Sequence, residues 1–143
     1  MWCVEELNLE AVRHDAGFIY GVTDTDSFAR MNPNRTVPVL KDNGGEALWE
    51  TGAILRYLAD TLGGAAFYPE DAQTRAGIDQ WLTWEGTTVV PALMAVFVAM
   101  TAEEPSQGAI TTAIETLQST YGTVENVLAG NRYVAGTYSL ADI

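Results

Sequence analysis

Basic residues are scarce in this sequence. Seven lysines and arginines stand against nineteen aspartates and glutamates, giving a formal net charge of -12. A phosphate backbone would be repelled by that balance, which argues against nucleic acid as a partner. The plain reading of the acidity is solubility. Cysteine occurs once, as Cys3, so no intramolecular disulfide can form, which fits a reducing compartment. Histidine also occurs once, as His14, with no second ligand or base partner nearby, and it reads as a surface or strand residue. No basic stretch followed by a long apolar run opens the chain, so no signal peptide is expected. The most apolar segment, residues 89–100, is too short and too interrupted to span a bilayer. The expectation is a soluble, cytoplasmic protein with no membrane partner and no metal.

Apolar residues, in contrast, make up 48% of the 143 positions, enough to bury a core in one domain or two small ones. Residues 1–10 (MWCVEELNLE) read as the end of a helix with no cap and no lead-in. Residues 11–15 are a short strand candidate, 17–26 loop-like, and 27–31 a helical turn stopped before Asn32-Pro33, because the residue preceding a proline avoids the helical region. Residues 37–41 and 46–49 read as two strands of a hairpin around the turn Asp42-Asn43-Gly44-Gly45. Residues 50–62 are helical, with Ile54, Leu58 and Leu62 recurring every four residues and Gly63-Gly64 ending the run.

Beyond a linker at 65–71 (AAFYPED) the strand signal fades. Residues 72–100 form a long helical pattern that Pro91 should kink, since proline removes a donor and crowds the preceding turn. After a break at 103–108, Ile110, Ile114, Leu117, Tyr121, Val124 and Leu128 step at three and four, an amphipathic helix. Residues 130–138 read as loop. Ser139 then caps a helix start with Asp142 in its first turn.

The motifs in this order resemble the glutathione transferase family. They are Asn32-Pro33-Asn34, Val37-Pro38-Val39-Leu40, Leu48-Trp49-Glu50-Thr51 and Ala53-Ile54-Leu55-Arg56-Tyr57-Leu58. Trp2-Cys3-Val4-Glu5-Glu6-Leu7, Phe67-Tyr68-Pro69, Gln80-Trp81, Trp84 and Gly136-Thr137-Tyr138-Ser139-Leu140-Ala141-Asp142 add support. The resemblance covers nearly the whole chain. It implies an α/β thioredoxin-like N-terminal domain at residues 1–64, partial and without its first strand. It also implies an all-α helical C-terminal domain at 72–143, truncated, in a protein of about two hundred residues.

The resemblance further implies a cis bond before Pro38 that turns the Val37 backbone outward, where it can pair with an extended peptide as an added strand does. Glutathione is such a peptide and the implied co-substrate. Glu50 would hold its γ-glutamyl ammonium. Thr51, with hydroxyl and backbone N–H, would hold the γ-glutamyl carboxylate, in keeping with the affinity of helix N-termini for anions. Without the resemblance, Pro38 reads as a strand start and Glu50-Thr51 as a helix cap. Many family members carry Gly where Arg35 stands, and a Lys, Arg or Gln that helps bind glutathione where Thr36 stands. Thr36 is too short for that reach, and Arg35 reads as an exposed surface residue.

The family's activating Ser, Tyr or Cys falls before or at the start of the first helix, so it is expected upstream of Met1 and no catalytic residue is assigned in this chain. Cys3 falls inside that helix and reads as a small buried apolar residue. The chain by itself is expected to be a poorly stable, inactive fragment. The intact protein is expected to be a homodimer that conjugates the glutathione thiolate to small apolar electrophiles, held in an apolar pocket between the domains. The alternatives are a non-catalytic interaction module or a related glutathione-dependent isomerase, reductase or dehalogenase.

Overall fold

The computed structural model describes the backbone of residues 1–143 and every side chain except that of Phe18. The chain divides into two compact units, Met1–Tyr68 and Pro69–Ile143.

The first unit opens with helix α1 (Trp2–Glu6), which contacts helix α3 (Thr51–Thr61). Residues 11–15 are not the strand that the sequence suggested. They form no regular element, all five are exposed, and Val12 is 82% exposed. A strand needs a neighbour to take up its backbone groups, and no ladder is offered here. The stretch instead carries a surface ion pair, Arg13 to Asp15 at 2.9 Å. Helix α2 (Asp26–Met31) starts where the Thr25 hydroxyl accepts from the Phe28 N–H at 3.2 Å. It ends at Asn32, whose backbone is extended before Pro33.

Strands β1 (Val39–Leu40) and β2 (Leu48–Trp49) form the hairpin, shorter than the patterning suggested. They pair antiparallel, Val39 with Trp49 and Leu40 with Leu48. Helix α3 follows β2 and contributes Ile54, Leu58 and Ala59 to a core shared with Cys3, Phe28, Phe67 and Tyr68. Gly63 takes a left-handed φ of 98° beyond the helix. At Gly64 an added Cβ would lie 2.5 Å from the Ala59 Cα, so only glycine allows the chain to turn this closely on α3. A short 3₁₀ turn, Gly64–Ala66, then leads into the buried pair Phe67 and Tyr68.

The second unit is helical. Asp71 caps helix α4 (Ala72–Trp84), and a π turn, Glu85–Val89, joins it to helix α5 (Val90–Thr101). Pro91 was expected to kink the helix, and the irregularity takes the form of this wider turn just before it. Such a turn relieves the crowding between a proline ring and the carbonyl four residues earlier. Residues 72–101 are therefore one continuous helical run, long and apolar enough by length and composition to cross a membrane. The expectation that residues 89–100 are too short to span a bilayer concerned only the last part of this run.

Helix α6 (Gln107–Leu128) packs along α5, and α4 contacts the 3₁₀ turn Leu140–Asp142. Ile78 and Leu140 are the most fully buried apolar side chains of this unit. Burial at that depth is worth roughly 1.5–3 kcal/mol per side chain. Ser139 and Asp142 form a reciprocal capping box, and Asp142 also accepts from the Val134 N–H at 3.1 Å. Trp81 and Trp84 meet edge to face at 5.3 Å, a packing role.

Candidate functional site

The hairpin register organises the candidate residues. The ladder ends at the Val39–Trp49 pair: Val37-Pro38 leads into it, Glu50 follows it, and Thr51 opens α3. Residues far apart in sequence thus arrive at one end of the hairpin, where α3 begins. The Val37–Pro38 peptide bond is cis. Val37 is half exposed, and among the described residues neither its N–H nor its C=O has a hydrogen-bond partner.

Glu50 is exposed and has a φ of 72° with a ψ of 120°, outside the regions that side chains other than glycine favour. Such a backbone costs about 1–3 kcal/mol and survives only where its surroundings enforce it. Its carbonyl accepts the first bond of α3, from Ile54 N–H at 3.0 Å. Its carboxylate makes no capping bond and has no salt-bridge partner among the described residues. Thr51 is the first residue of α3, exposed, at the end where free N–H groups and the helix dipole favour an anion. The site therefore presents two backbone edges, a free carboxylate and an anion-favouring helix end.

Two side chains considered beside the site are already engaged. Arg35 has a left-handed φ of 56°, a conformation that suits glycine best. Its guanidinium donates to the carbonyls of Thr23 and Thr25, each at 3.3 Å, and lies 3.6 Å from Asp26. The Thr36 hydroxyl accepts from the side-chain amide of Asn32 at 3.1 Å. Asn32 itself was missed as a site residue. It is 1% exposed, the most buried polar residue of the first unit. The available signal was the Asn-Pro dipeptide followed by Asn34, since an Asn side chain commonly accepts from the backbone two residues on.

Cys3 lies in the core at 3% exposure, where burial pushes its thiol up from the ordinary range. That opposes thiolate chemistry. His14 is exposed, in the irregular stretch. A surface hollow of about 470 Å³ lies between the end of α2 and the hairpin, lined by residues that include Arg30, Lys41 and Trp49. It contains none of Val37, Pro38, Glu50 or Thr51. Val37, Pro38, Glu50 and Thr51 are all exposed, as suits a peptide that adds like a strand.

Comparison with known proteins points the same way. Residues 1–61 match the family model described as glutathione S-transferase, N-terminal domain. Glutathione S-transferase GstB of Escherichia coli K12 is 29% identical over 145 residues, spanning 98% of this chain and 70% of that protein. Glutathione S-transferase D7 of Drosophila melanogaster is 36% identical over 121 residues, spanning 81% of this chain and 52% of that protein. Among solved structures, the theta class glutathione S-transferase of Xanthomonas axonopodis pv. citri, with glutathione bound, superposes with a TM-score of 0.90 at 30% identity, over 99% of this chain and 70% of its own.

The chain belongs to the glutathione transferase family. Its fold is that family's pairing of a thioredoxin-like N-terminal domain with a helical C-terminal domain.

Proposed function

We propose that this chain carries the glutathione-binding edge of a glutathione transferase. The observation that supports the reading is the Val39–Trp49 pairing, since Val37-Pro38 and Glu50-Thr51 adjoin it at the same end of the hairpin. These groups fit the tripeptide part by part. Glu50 pairs with the γ-glutamyl ammonium. The Thr51 N–H and hydroxyl hold the γ-glutamyl carboxylate. Val37, next to Pro38, hydrogen-bonds the cysteinyl main chain as a neighbouring strand would.

The reaction assigned to the whole protein is attack of the glutathione thiolate on a small apolar electrophile. A hydroxyl or thiol near the sulfur lowers its pKa by hydrogen-bonding the thiolate. The reading assigns that activating role to no residue of this chain; the burial of Cys3, which raises its thiol pKa, argues against Cys3 in it. The same reading places the protein in the cytoplasm as a detoxifying homodimer. Calorimetric titration of the chain with glutathione tests the binding, and turnover of an electrophile by the whole protein tests the reaction. Binding that survives unchanged in Glu50→Ala would remove the assignment.

A further inference from the structure

Asn32 uses every hydrogen-bonding group it has. Its N–H donates to the Phe28 carbonyl at 2.9 Å, and its carbonyl accepts from the Arg35 N–H at 3.0 Å. Its side-chain oxygen accepts from the Asn34 N–H at 2.9 Å. Its side-chain amide donates to the Thr36 carbonyl at 2.8 Å and to the Thr36 hydroxyl at 3.1 Å. Residues 33–36 are all exposed, so this one buried side chain anchors a loop that otherwise runs over the surface.

The bond to the Thr36 carbonyl has a directional consequence. The cis bond lies between Val37 and Pro38, and the peptide joining Thr36 to Val37 is trans. A trans peptide is planar, with its C=O and N–H pointing to opposite sides. An inward pull on the Thr36 oxygen therefore turns the Val37 N–H outward. We propose that Asn32 is a positioning residue that sets the direction of the Val37 N–H, and with it the strand-like grip on the middle of a bound glutathione. This rests on the glutathione reading above. It assigns Asn32 no contact with the ligand.

The test compares two ligands on the 143-residue chain. Glutathione spans both Val37 and the Glu50–Thr51 end, whereas γ-glutamyl methylamide reaches only the latter. Asn32→Asp keeps the acceptor for Asn34 but replaces the donor to Thr36 with an oxygen. The preference for glutathione over the fragment should fall at least tenfold, with fragment affinity unchanged. As pH falls and the new carboxyl becomes a neutral donor, the variant-to-wild-type ratio should recover. Thr36→Val removes the hydroxyl acceptor at an exposed position and should lower the preference by a smaller factor, two- to fivefold. It decides the matter if Asn32→Asp does not fold. Equal loss for both ligands would mean a merely structural role and overturn the proposal, as would an unchanged preference in the variants. If the wild-type chain binds neither ligand, the glutathione reading itself fails and this inference falls with it.

Discussion

The hydroxyl of Tyr57, on α3, donates to a carboxylate oxygen of Asp42, in the hairpin turn, at 2.5 Å. The bond ties the far end of the hairpin to the helix whose first residues form the candidate site. It also depends on charge. It holds Asp42 below the usual carboxylate range and pushes the Tyr57 phenol above its usual range. A depressed acid stabilises the fold above its unfolded pKa and loses that contribution as pH falls through its folded pKa. A raised phenol stabilises below its unfolded pKa and loses its contribution as pH rises through its folded pKa. The thermal midpoint of the wild type should therefore exceed that of Tyr57→Phe across the neutral range, with the gap closing at both extremes. A gap independent of pH would show that the bond contributes nothing.

Much of this frame was legible in the sequence. Gly44 and its neighbours marked the turn, the spacing of Ile54 and Leu58 marked α3, and Ser139 with Asp142 marked a capped start. Those are local signals, set by turn chemistry and periodicity. Residues 11–15 misled because a strand is defined by its neighbour, which a linear pattern does not contain. The π turn before Pro91 and the positive φ of Glu50 were hidden for a related reason. The first is one of several ways a helix can accommodate a proline, and the second is imposed by the surroundings on an ordinary residue type. Asn32 read only as the stop of a helical turn and as part of a motif, and burial revealed it as the anchor of the 32–36 loop.

The backbone of Glu50 separates its structural role from its chemical one. Both Glu50→Gly and Glu50→Ala lose the carboxylate, but only glycine suits a φ of 72° without penalty. Denaturant unfolding should find the glycine variant more stable than the alanine variant by about 1 kcal/mol. Both should bind glutathione at least about tenfold more weakly than the wild type. An alanine variant as stable as the glycine one would mean that Glu50 is unstrained.

The capping box at the end of the chain should be measurable. Ser139→Ala removes an acceptor for the Ala141 N–H and should cost about 1 kcal/mol, lowering the thermal midpoint by roughly 3–5 °C. Asp142→Ala should cost more, because Asp142 accepts from the N–H groups of both Val134 and Ser139. An Asp142→Ala midpoint equal to wild type would contradict this arrangement.

Cys3 should behave as a buried, inert thiol. In the folded chain at neutral pH, a disulfide reagent should label it at a rate set by transient opening, and rapidly only after denaturation. Cys3→Ala should leave glutathione affinity unchanged. Fast native-state labelling would return Cys3 to the list of candidate nucleophiles.

The most direct measurement of the central claim is calorimetric titration of glutathione into the wild-type chain and into Glu50→Gln. The substitution keeps the shape of the side chain and removes the charge that would hold the γ-glutamyl ammonium. Saturable one-to-one binding by the wild type, weakened about tenfold or more in Glu50→Gln, is the predicted result. Identical affinities in the two proteins would show that Glu50 does not hold the ligand and would contradict the site described.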